Sequence, residues 1–137
     1  MKKIKYALSA MLTALLFLTT LTVASCSGKT QFSSDKWKQG NYHQRYLMLD
    51  DFAKNNYIIG WNIDEVTDLL GAPERKDDVY METYPPQFGG YILEYYISSR
   101  SEYKDFEILR ITTNSTSIVT SAEYDSEGGT VRSIYKN

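Results

Sequence analysis

Between Asn62 and Pro73 the sequence writes both ends of one helix. Asn62 is a good N-cap, and Glu65, three residues on, completes a capping-box pattern. Trp61 and Val66 stand at the two positions of a hydrophobic staple, and Val66, Leu69 and Leu70 supply an apolar face. Gly71 suits a left-handed C′ position and Pro73 forbids continuation. A helix of two turns is not stable alone, so it must pack on something. Upstream, Tyr42–Lys54 reads as a first helix with Leu47, Met48, Leu49 and Phe52 on one side. Downstream the period changes. Tyr91–Ile97, Asp105–Thr112 and Ser117–Tyr124 are rich in β-branched and aromatic residues and are bounded by turn formers. Asp77–Gly90 reads as a link containing Pro85 and Pro86, with room for an extended piece at Val79–Tyr84. The expected fold is α+β: a two-layer sandwich with two N-terminal helices on one face of a three-stranded antiparallel sheet, in the order α-α-β-β-β. The other sheet face is left to solvent or to a partner.

The first 25 residues belong to a different kind of segment. Lys2, Lys3 and Lys5 precede an apolar run over residues 7–23, which ends in Val23-Ala24-Ser25-Cys26. Small residues before a cysteine at the end of a hydrophobic run resemble the lipobox of bacterial lipoprotein signal peptides. The resemblance implies cleavage between Ser25 and Cys26 and a diacylglycerol on the Cys26 thiol. It places the domain outside the cytoplasm, on the cell membrane or the outer membrane. An ordinary secretory leader or an uncleaved anchor leaves the position of the chain's single cysteine unexplained. Two acyl chains, at about 0.8 kcal/mol per buried CH₂, hold a protein stably on a bilayer where one does not. The expected organisation is a cleaved leader over 1–25, a lipidated Cys26 with a flexible polar tether to residue 40, a domain over 41–125, and a frayed tail over 126–137. Within that tail, Val131–Tyr135 has the composition for a short edge strand.

Residues 58–73 (IIGWNIDEVTDLLGAP) resemble the signature of SmpA/OmlA-type, BamE-like lipoprotein domains: a glycine, a helix cap, a V-x-x-L-L-G-x-P helix end, then a tyrosine-rich strand and two more. Arg45, Met48 and Asp51 fit an R-x-x-M-x-x-D helix of related small lipoproteins. Tyr95-Tyr96-Ile97 and Leu109-Arg110-Ile111 fit the strands. The resemblance covers residues 41–124 and departs at Trp61-Asn62, where the family has Met/Lys-Ser/Thr. It implies an adaptor without catalysis, on a fold shared with β-lactamase-inhibitor-like repeats.

Composition excludes several chemistries. One cysteine and one histidine allow neither an intrachain disulfide nor a Cys/His zinc cluster. There are 15 Lys+Arg against 17 Asp+Glu, and three of the lysines lie in the leader. The body after it carries an acid excess of five, which disfavours nucleic acid. His43 reads as an exposed helix-start residue, and Asp51 as a surface ion pair with Arg45 or Lys54. Asp77-Asp78, with Glu74 or Glu82, lacks the regular ladder of a Ca²⁺ loop. Glu94 and Glu107 on neighbouring strands are the one pair with glycosidase-like potential, though outward solvated positions are expected for them. No catalytic residue, metal or cofactor is expected. Tyr91, Tyr95, Tyr96, Phe88 and Trp61 form the candidate binding surface, for a protein partner or, alternatively, for glycans stacked on tyrosines. Phe88 is placed on an exposed loop, Pro85–Gly90.

Overall fold

The computed structural model describes residues 30–99, 107–126 and 130–135. Ser25 and Cys26, and so the cleavage and lipidation sites, lie outside the described residues, as do residues 27–29 of the expected tether. Among the described residues three helices, α1 (Ser34–Gln39), α2 (Tyr42–Asn55) and α3 (Ile63–Leu70), precede five strands. The strands are β1 (Arg75–Met81), β2 (Gln87–Ile97), β3 (Glu107–Thr113), β4 (Val119–Ser126) and β5 (Thr130–Ser133), paired in chain order as one antiparallel meander. Among the described residues no helix is long and apolar enough to cross a membrane.

The two long helices arise as their local signals dictate. The Asn41 side chain accepts from Gln44 N while Gln44 Oε1 accepts from Asn41 N, a reciprocal cap that precedes the expected helix start at Tyr42. Asn62 and Glu65 form the second reciprocal cap. Gly71 ends α3 with φ 81° but an extended ψ of −173°, so it turns the chain outward instead of closing a left-handed cap.

Among the described residues the sheet has five strands and the helical layer three members, which corrects the three-stranded, two-helix expectation. β1 escapes a periodicity reading because Arg75-Lys76-Asp77-Asp78 fills it with charge. It is an edge strand with no buried residue, and charge there discourages further strand pairing. α1 lies within the stretch expected as tether. The domain accounts for at least residues 30–40 of it: Thr30 N–H donates to Leu47 O (3.0 Å), Phe32 N–H to Asp51 Oδ2 (2.9 Å), and Trp37 is fully buried. Two large aromatics in a polar context cost too much to leave in water. Asp51 is therefore occupied by backbone and by Asn55, not by Arg45 or Lys54. At the other end β5 pairs with β4, and the Tyr135 hydroxyl accepts from Ile58 N and donates to Asn56 O. The segment expected as tail is thus stitched to the α2–α3 connection.

Alternation sorts each strand. Leu93, Tyr95 and Ile97 of β2, Leu109 and Ile111 of β3, and Val119, Ala122 and Tyr124 of β4 face the helices and meet Met48, Phe52, Ile58, Val66 and Leu70. The outer face carries a charged row instead. Glu94, only 7% exposed, lies between Arg110 (3.1 Å) and Arg75 (3.9 Å), and Arg110 also reaches Asp125 (3.4 Å). Cross-strand pairs of opposite charge stabilise a sheet face that none of the described helices covers.

Burial raises the hydroxyl pKa of Tyr95, of Tyr124 (helped by its hydrogen bond to Glu107) and of Tyr135. The folded values then exceed that of the unfolded chain, about 10. The stability tied to neutral phenols is complete below that pH and drains away as pH rises towards the folded values. Alkaline titration should therefore show tyrosinate absorbance growing together with loss of circular dichroism. Ionisation of these three without unfolding would contradict the burial.

Candidate functional site

β2 outruns the sheet. It pairs with β3 only from Ile92 to Ile97, whereas its pairing with β1 continues to Met81↔Gln87. Asp78–Met81 and Gln87–Tyr91 therefore form a two-stranded arm, closed by a tip containing Thr83, Tyr84, Pro85 and Pro86. At the tip Thr83 N–H donates to Met81 O (2.7 Å) and the Thr83 hydroxyl to Pro85 O (3.0 Å).

The arm's root is fixed by a glycine. Gly90 has φ 139°, and a Cβ there would collide with the Thr113 and Asn114 backbone. Its neighbour Tyr91 donates N–H to Thr113 Oγ1 (2.9 Å). The Asn114 side chain in turn shapes the β3–β4 turn, accepting from Thr116 N and Ile118 N. Beyond the root the register shifts between Val79 and Tyr80, opposite Gly89. That bulge turns Phe88 onto the same face as Tyr91 and Tyr80.

The result is a continuous aromatic strip. Lys76 Nζ lies 4.0 Å from the Tyr91 ring centre, Tyr91 meets Phe88 edge-on at 4.9 Å, and Phe88 meets Tyr80 edge-on at 6.1 Å. These are favourable cation–π and edge-to-face geometries. Tyr80 is 58% exposed, Met81 46%, and Tyr84 fully exposed. Asp78 and Glu82 have no ion-pair partner among the described residues, so acid flanks the strip.

The five residues expected to share a surface do not. Phe88 and Tyr91 lie together on the arm, Phe88 within strand β2 and not on a loop. Tyr95 is fully buried, its hydroxyl donating to Gly71 O (3.0 Å), because the alternation that exposes Tyr96 turns Tyr95 inward. Tyr96 is on the opposite sheet face, edge-on to Tyr42 at 6.1 Å. Trp61 is half-buried before α3, where its carbonyl accepts from Val119 N (2.8 Å). Tyr80 and Tyr84, within the expected link Asp77–Gly90, and Lys76 just before it belong to the site, while Met81 is exposed on the arm's other face. The local signal for them is the β-forming stretch Val79–Tyr84; the charge before it and the bulge opposite Gly89 hide any alternation.

The acid–base candidates separate. Glu94 faces outward to Arg110, whereas Glu107 faces inward and accepts from Ser99 N (2.6 Å) and Ser99 Oγ (2.8 Å). Carboxylates on opposite sheet faces cannot flank one glycosidic bond. Asp77 pairs with Arg75 (2.7 Å), and Asp78 is on the other face. Glu74 is held by Arg45 (2.6 Å). Among the described residues no three His, Cys, Asp or Glu side chains gather as metal ligands. His43 Nδ1 donates to Ser98 O (3.0 Å) and the ring stacks on Tyr46, so it is half-buried and engaged, not free at a helix start.

No known protein family, no curated protein and no solved structure matches this chain.

Proposed function

We propose that this chain is a lipid-anchored lipoprotein of the bacterial envelope, related to SmpA/OmlA-type domains, that works as a non-enzymatic protein-binding adaptor. Cys26 carries the anchor and the β1–β2 arm makes the contact. The leader through Cys26 and the motif at residues 58–73 support the class. One observation carries the binding role: an arm only two strands wide exposes Tyr80 and Tyr84 beside a half-buried Phe88–Tyr91 pair, with Met81 exposed on its other face. An isolated two-stranded ribbon is marginally stable in water, and its apolar side chains gain little there. Tyrosine, phenylalanine and methionine are enriched at protein interfaces, where a few such anchors supply most of the binding energy. The flanking Asp78 and Glu82 favour a partner surface with basic residues around an apolar centre.

The arm can be tested without disturbing the fold, since Tyr80 and Tyr84 are mostly in water. Tyr80→Ser/Tyr84→Ser should leave the denaturation midpoint nearly unchanged, within about 0.5 kcal/mol. A photocrosslinker at Glu82 in native membranes should attach a discrete protein. The double substitution should weaken that crosslink about tenfold or more, the effect of losing one or two anchor residues. An equal crosslink in the variant removes the arm from the interface. Tyrosine or tryptophan fluorescence that responds to envelope glycans, with no protein crosslink, would favour a glycan-binding lipoprotein instead.

A further inference from the structure

The chain joins the fold at Thr30, earlier than a flexible tether through Gly40 would allow. Thr30 N–H is bonded to Leu47 O of α2, and Phe32 N–H to Asp51 Oδ2. The Phe32 ring is inserted against Phe52 (5.1 Å) and Trp37 (5.9 Å). Only residues 27–29 separate this pinned point from Cys26. Four Cα steps reach at most about 14 Å, whereas a free chain from Cys26 to Gly40 would reach about 48 Å. A domain of about 100 residues has a radius of gyration near 13 Å and is therefore about 34 Å across. A leash of 14 Å cannot let such a body turn its far side to the bilayer, because Thr30 would then stand a full diameter away.

We infer that the domain is seated on the lipid headgroups by the α1–α2 surface around Thr30, with the outer sheet face turned away from the membrane. This rests on the lipidation of Cys26 proposed above; the seating itself follows from where the chain is pinned. The surface beside Thr30 suits headgroup contact without insertion. On one side is an open cleft of about 580 Å³ lined by Lys36, Gln39, Gly40, Gln44 and Leu47, and on the other are Gln31, Asp50 and Lys54. Both charge signs and several amides face the lipid, and Leu47 is the one large apolar side chain among them with exposed area. The charged row of Arg75, Glu94, Arg110 and Asp125 then points towards the aqueous compartment.

Energy transfer from the domain to a headgroup-borne acceptor measures the seating. The full chain, processed and lipidated in a bacterium, is reconstituted into phosphatidylethanolamine/phosphatidylglycerol vesicles. A donor is attached through Gln39→Cys or Ser121→Cys; a lipidated Cys26 is a thioether and does not react. Gln39 is exposed beside Thr30, and Ser121 lies on the outer sheet face opposite Thr112. Transfer from position 39 should exceed that from position 121 by about twofold or more, as a thickness of one domain requires. Inserting twelve Gly/Ser residues after Ser27 should abolish the difference. Equal transfer from the two positions in a membrane-bound chain overturns the seating and leaves the lipoprotein reading standing. A difference that survives the insertion also overturns it, since the leash would then not be its cause. A soluble chain without the diacylglyceryl mass overturns the lipoprotein reading, and the seating with it.

Discussion

Trp37→Ala should cost about 3–5 kcal/mol of folding stability, a large share of what a small domain possesses. Trp37 is fully buried between Phe32 and Phe52, each with ring centres 5.9 Å from its own. Its carbonyl also receives Arg45 Nε (3.1 Å), and the Arg45 guanidinium lies 5.8 Å from its ring centre. Removing the indole leaves a cavity at the junction of α1, α2 and the chain at Phe32, and the surrounding helices can collapse into it only in part. The indole Nε1 has no hydrogen-bond partner among the described residues, so Trp37→Phe forfeits volume but no hydrogen bond. It should therefore be milder, at about 1–2 kcal/mol. Urea denaturation of the chain lacking the leader would measure both. An unchanged midpoint for Trp37→Ala would return residues 30–40 to the role of a solvated tether. The same substitution should also free the leash and reduce the transfer difference between positions 39 and 121.

The contrast between Trp37 and Asn62 shows which parts of this fold are legible locally. α3 is read correctly because its cap, its apolar face and its stop fall within twelve residues and act on one another. β2, β3 and β4 are recognised because alternation of β formers survives along each of them. Composition suggests only an edge strand at 131–135 and an extended piece at 79–84; α1, the charged start of β1 and the anchoring of β5 depend on partners far away in sequence. Ser34 Oγ donates to Leu69 O, the charged stretch from Arg75 is held by β2, and Tyr135 reaches the Asn56 and Ile58 backbone. No window of one helical or strand period contains those partners. The site suffers in the same way. Alternation alone puts Phe88 and Tyr91 on different faces, and only the bulge opposite Gly89 brings them together. Tyr95 suits a surface by type, but its spacing from Leu93 and Ile97 assigns it to the core, where it is fully buried.

Breaking the Arg45–Glu74 pair from either side should destabilise the domain by about 3–5 kcal/mol, while removing both partners should cost distinctly less than the sum. The pair closes a gap in the sheet. β1 begins opposite Glu94, so beyond it the edge of β2 at Tyr96 lacks a strand neighbour. Glu74 Oε2 accepts Tyr96 N–H (3.0 Å) and Arg45 Nη1 donates to Tyr96 O (3.3 Å), so two side chains stand in for the missing strand. Arg45 also holds Trp37 O and packs against the Tyr42 ring, with its carbon Cζ 5.7 Å from the ring centre. It is itself buried, at 8% exposure. Arg45→Met keeps the stem but strands the Glu74 carboxylate and the Trp37 and Tyr96 carbonyls. Glu74→Gln keeps the acceptor for Tyr96 but leaves a buried guanidinium without its counter-charge, so either single substitution leaves one charge unpaired. Arg45→Lys should rescue little, because one ammonium cannot donate to Trp37 O, Glu74 and Tyr96 O in the planar geometry they present. A double-mutant cycle in urea, with circular dichroism as the signal, isolates the coupling. Strictly additive losses would mean that the two residues act separately and that Arg45 serves the helix alone.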